Sequence, residues 1–79
     1  MARYFFHLRD GTDQLLDPEG IELADHAAVE ATALRFARDT LSHELRDGCL
    51  DLRYRIDVED EHGTVIHTTQ LADAFETIR

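Results

Sequence analysis

From His26 to Asp47 the chain carries neither glycine nor proline, and both ends of that run are marked by helix punctuation. Asp25 stands at its start, where a carboxylate caps free backbone N–H groups. Gly48 stands just past its end, where a left-handed residue closes a helix. The run predicts a helix of about 22 residues, roughly 33 Å long at 1.5 Å per residue. A rod of that length in a 79-residue chain needs a layer to lie on. At 100° per residue Ala27, Ala31, Leu34, Ala37, Leu41 and Leu45 share one face, which is expected to be the core stripe. Val29 and Phe36 fall on the opposite side with Ala33 and Thr40 beside them. They are expected to form a second, outward stripe suited to a contact.

The layer is written in the flanking segments. Residues Arg3 to Arg9 are rich in aromatics and end at Asp10-Gly11-Thr12-Asp13, a turn sequence, so they read as a strand. Tyr4, Phe6 and Leu8 share one face; Phe5, His7 and Arg9 share the other. Gln14 to Leu16 begins a return strand that Asp17-Pro18-Glu19-Gly20 interrupts before Ile21-Glu22-Leu23. From Asp51 to Glu59 the pattern alternates, with Leu52, Tyr54, Ile56 and Val58 on one side and Arg53, Arg55, Asp57 and Glu59 on the other. Glu61-His62-Gly63 reads as a hairpin loop and Thr64 to Thr69 as the returning strand. Gln70 to Ile78 closes the chain with a short helical stretch. The expected architecture is α+β, in the order β-β-α-β-β: one domain over residues 1–79, a small antiparallel sheet with one long helix packed on one face.

Composition narrows the function. Eight arginines and no lysine face 17 acidic residues, for a net charge of −9. That balance argues against a nucleic-acid coat and against an anionic membrane surface. No stretch reaches the ~20 apolar residues of a spanning helix, and the opening residues do not read as a signal peptide. A lone cysteine, Cys49, makes no internal disulfide and fits a reducing, cytoplasmic setting.

The residues that carry chemistry elsewhere do not assemble into a catalytic set. Asp10, Asp13, Asp17 and Glu19 have the composition of a Ca²⁺ loop without its order of ligands, and read as turn residues. The five histidines lack zinc-ligand spacing; His7 and His67 alone are placed to meet, if their strands are neighbours and both point away from the helix. Ser42 and His43 are consecutive on the helix and diverge by about 100°. No nucleophile elbow and no phosphate loop is present. The expectation is no enzyme, no cofactor and no metal.

Three segments together carry a resemblance: Arg3-Tyr4-Phe5-Phe6-His7-Leu8-Arg9-Asp10-Gly11, then Asp17-x-Glu19-Gly20-x-Glu22-Leu23 before an alanine-rich helix, then Val58-Glu59-Asp60-Glu61-x-Gly63-x-Val65. The chain resembles a family of small alphaproteobacterial proteins known only as a domain of unknown function. The resemblance implies a bacterial, cytoplasmic protein and brings no catalytic residues with it. In pattern alone, the order of strand, turn, Glu-Gly strand and helix is also similar to HicB-type antitoxins, small proteins that bind a toxin. The function expected is a non-enzymatic protein-interaction module that self-associates as a homodimer. The alternative is an antitoxin-like or regulatory protein that binds a basic partner. The residues expected to make contacts are Phe5, His7, Arg53, Arg55 and His67 on the open sheet face, and Val29 and Phe36 on the back of the helix.

Overall fold

The computed structural model describes residues 1–46 and 53–78, with side chains over 1–42 and 53–74. The expected Gly48 cap, Cys49, Leu52, and the placing of Leu45, Phe75 and Ile78 lie outside the described residues. Seven elements follow in order: β1 (Ala2–Arg9), β2 (Gln14–Leu15), β3 (Ile21–Leu23), α1 (His26–Arg46), β4 (Arg55–Glu59), β5 (Val65–Gln70) and α2 (Leu71–Ile78). They build an antiparallel five-stranded sheet, with α1 and the shorter α2 on one face. The class is the expected α+β. The order is β-β-β-α-β-β with a terminal helix, because the interrupted return strand forms two strands.

β1 is the hinge of the sheet. Along one edge it pairs first with β3 (Ala2↔Leu23 to Tyr4↔Ile21) and then with β2 (Leu8↔Leu15, Arg9↔Gln14). Residues 16–20 loop out between them, opposite Phe5 to His7. Along its other edge β1 pairs with β4, and β4 pairs with β5, so the long path is β2-β1-β4-β5.

Asp17 makes the looped-out segment possible. Its carboxylate accepts from the N–H groups of Phe6, Glu19 and Gly20, and its own N–H donates to His7 Nδ1 at 3.0 Å. The backbone donor of Phe6, which a continuous strand would have paired, is thereby satisfied. Gly20 folds the segment back at φ +74°, where an added Cβ would lie 2.9 Å from both Arg3 Cγ and the Tyr4 carbonyl oxygen. Gly63, in the β4–β5 hairpin, has a similar φ of +80° but open space around it. Gly63→Ala should therefore cost only the left-handed backbone term, about 1 kcal/mol. Gly20→Ala adds a steric clash and should cost about 2–3 kcal/mol. Paired urea melts check the difference; equal losses would contradict the close approach.

Asp25 caps α1 as expected, with Oδ1 accepting from the Ala28 N–H at 2.8 Å. The buried face agrees only in part: Ala37 and Leu41 are buried as expected. Val29, Ala33, Ala37 and Leu41 are fully buried, and Thr32 is buried beside them. Phe36 is half-buried against Phe6 in an edge-to-face contact with ring centroids 5.2 Å apart. Ala27 and Ala31, expected inside, are exposed. The core stripe thus keeps Ala37 and Leu41 and is shifted around the helix, away from Ala27 and Ala31 and towards Val29, Ala33 and Phe36. Val29 and Phe36 are core residues, not an outward contact stripe. The physical reason is volume: burying valine and phenylalanine removes far more apolar surface from water than burying two alanines.

The core closes with Phe6, Ile56 and Val58 from the sheet and Leu71 and Ala74 from α2. The Leu71 N–H donates to the Tyr54 carbonyl at 3.1 Å, tying the start of α2 to the strand region before β4.

Candidate functional site: the open sheet face and the β5 edge

The alternation of β1 and β4 places Phe5, His7 and Arg9 beside Glu59, Asp57 and Arg55, on the face away from α1. This much agrees with the sequence. What fills the face is an ionic network. Arg9 donates to Asp57 Oδ2 at 3.0 Å and to Glu59 Oε2 at 3.1 Å. Arg55 Nε donates to both Asp57 carboxylate oxygens, at 3.2 and 3.1 Å. Thr68 Oγ1 adds a third donor to Asp57 at 3.0 Å, from β5. The Asp57 side chain is 7% exposed. Two arginines and two carboxylates balance, so the face carries no net charge from these groups.

His7 is buried in the same face. Its Nδ1 accepts from the Asp17 N–H, so the neutral ring carries its proton on Nε2, 3.4 Å from Glu59 Oε1. Phe5 stacks beside it, with ring centroids 6.5 Å apart. The expected open surface is therefore a set of groups that satisfy one another. Burial alone would raise the Asp57 carboxyl, but the donors Arg9, Thr68 and Arg55 outweigh it and hold it below the usual carboxylate range. Its hydrogen bonds to Asp57 and then to Glu59 raise Arg9 above its ordinary value. Asp17 is likewise held low: burial pushes upward, and the N–H groups of Gly20, Phe6 and Glu19 prevail.

A depressed folded-state pKa adds stability that is complete above the unfolded carboxylate value, about 3.9. That stability disappears as pH falls through the folded value. The melting temperature should thus hold steady from about pH 8 to 5 and fall progressively below about pH 4. A melting series over that range checks it, and a fall that begins above pH 6 would contradict it.

His67 does not join His7. β4 lies between β1 and β5, and His67 pairs with Val58, so its ring is on the α1 face. There it meets His26 edge-on, with centroids 5.6 Å apart. A bulge between Val58 and Glu59 shifts the β4–β5 register, and one residue of slip moves a side chain to the opposite face. Arg53 is exposed, just before β4. The acidic turn residues serve the backbone: Asp10 Oδ1 accepts from the N–H groups of Thr12 and Asp13, and Asp60 Oδ1 from those of His62 and Thr64.

The two edges of the sheet differ. The β2–β3 edge is broken by the 16–20 loop, with Pro18 and the Asp17 cap, which are features that stop a further strand from adding. At the other edge, no described residue pairs beyond β5. β5 has six residues, and the stretch from His62 to Ala72 around it is the longest in the chain without Asp, Glu or Arg. Its ladder orientation follows from the Leu71 N–H bond to Tyr54. Alternation then turns the N–H groups of Thr69 and His67 inward to β4, and those of Thr68 and Gln70 outward. The sequence signal for this edge was the uncharged run itself.

A small antiparallel α+β domain with one ionic sheet face is the class these features define. Residues 3–72 match the family described as a domain of unknown function, DUF6894, and the chain belongs to that family. No curated protein and no solved structure matches it. No helix among the described residues is long and apolar enough to cross a membrane.

Proposed function

We propose that this protein is a non-catalytic interaction module that self-associates by pairing the β5 edges of two copies, antiparallel, across a twofold axis. The observation that carries this reading is the contrast between the two edges: one is broken and capped, the other continuous and uncharged. Two chains of net charge −9 repel, and β5 is the stretch where they approach with the least like-charge cost. Antiparallel pairing of one strand with its own copy is isologous, which suits a closed dimer. The ionic face stays solvated at the joined sheet, and Phe5 and Arg53 flank it without being required for pairing. A basic partner offering a strand, as in an antitoxin-like role, would compete for the same edge rather than use a separate surface.

Light scattering across a concentration series tests the proposal. The wild-type chain should approach twice the monomer mass of 9.1 kDa. Thr68→Pro removes an outward N–H and should keep the chain monomeric. Thr68→Val loses the same hydroxyl bond to Asp57 but keeps the N–H, and should still dimerise. Moderate salt should strengthen the dimer by screening the net charge. A wild-type monomer at all concentrations, or equal dimerisation by Thr68→Pro, contradicts the reading.

A further inference from the structure

His26 and Glu30 lie one turn apart at the start of α1, and His67 reaches them from β5. His26 Nε2 is 3.2 Å from Glu30 Oε1. A ligand atom from each of the three residues lies within 4.8 Å of the other two. We propose that His26, Glu30 and His67 form a divalent transition-metal site, with Zn²⁺ as its occupant.

The geometry and the donor chemistry agree. Tetrahedral zinc with bonds of about 2.0–2.1 Å places neighbouring ligand atoms about 3.3 Å apart, close to the His26–Glu30 spacing. His26 and Glu30 are exposed, which leaves their side chains room to turn towards His67. His67 is itself positioned: one ring nitrogen, Nε2, lies 3.1 Å from Thr69 Oγ1. With the Thr69 hydroxyl oxygen accepting a hydrogen bond from Nε2–H, the ring's lone pair is on Nδ1, the arrangement by which outer partners set a ligating imidazole. Two imidazoles and one carboxylate favour zinc-like ions over Ca²⁺ or Mg²⁺, which require mostly oxygen. Three protein ligands leave the fourth position to water or to a donor from another molecule. The acidic chain also favours a bound cation. Sequence spacing hides the set, since His67 is 37 residues beyond Glu30 and only the fold brings it to the helix start.

Metal-free protein is titrated with Zn²⁺ against a chromophoric chelator, and with Co²⁺ followed by its visible spectrum. One equivalent should bind, and Co²⁺ should show the absorption of a four-coordinate ion. Glu30→Gln and His67→Ala should each weaken binding at least ~10-fold, whereas His62→Ala, in the exposed hairpin, should not. Zn²⁺ at 100 times its dissociation constant should raise the melting temperature by roughly 10–20 °C. Circular dichroism confirms that each variant is folded. Repeating the titration on Thr68→Pro separates the site from self-association. No binding by the wild-type chain, or undiminished binding by His67→Ala, overturns the proposal; the second result would leave only an ordinary helical His–Glu pair.

Discussion

Phe36→Ser should destabilise the chain by about 3 kcal/mol, whereas Ala31→Glu should change stability by less than about 0.5 kcal/mol. Phe36 sits edge-on to Phe6 between α1 and the sheet, and Ala31 faces solvent. Truncating the ring removes its apolar contact, leaves a cavity beside Phe6 and introduces a hydroxyl. The total stability of a 79-residue domain is only about 4–12 kcal/mol, so this one change consumes a large part of it. Urea melts with unchanged m-values check both variants. If Ala31→Glu unfolds the chain while Phe36→Ser is tolerated, the buried face of α1 is on the other side.

The second large effect is at Asp57. Asp57→Asn should cost about 2–4 kcal/mol, since the amide cannot balance Arg9 and Arg55, which both donate to this carboxylate. The arginine side chains are 21% and 34% exposed, and water compensates part of the loss, which holds the cost below that of a fully buried pair. Glu59→Gln should cost less, about 1 kcal/mol, because Glu59 accepts a single hydrogen bond from Arg9 and is more exposed. Asp57→Asn should also flatten part of the acid-induced fall in melting temperature, because one depressed carboxylate is gone. A substitution that leaves both the stability and the acid profile unchanged would show that the network on the open face holds nothing together.

The strands were legible because their side chains alternate between unlike classes. Phe6 and Leu8 against His7 and Arg9, and Ile56 and Val58 against Arg55 and Asp57, leave only one way to face a core. The helix was legible in its start, by the Asp25 cap, and in its run free of glycine and proline, but not in rotation. A helix with alanines on most sides offers several weak stripes, and the one containing Val29 and Phe36 prevails by volume once a sheet is there to receive it. Sheet order was not legible, because pairing between distant strands leaves no local mark. The place of His67 was lost for the same reason: the bulge beside Val58 decides its face, and the sequence of the hairpin does not announce it. Asp17 read as a turn residue, and only the geometry reveals it as the cap that lets β1 keep two separate partners on one edge.

The proposed dimer rests on β5 pairing with a second copy. The most direct measurement is amide hydrogen exchange at Thr68 and Gln70, whose N–H groups face outward, compared with His67 and Thr69, which face β4. Thr68 and Gln70 should be protected at high protein concentration and exchange freely on dilution, while His67 and Thr69 stay protected throughout. Free exchange at Thr68 and Gln70 at every concentration would contradict it.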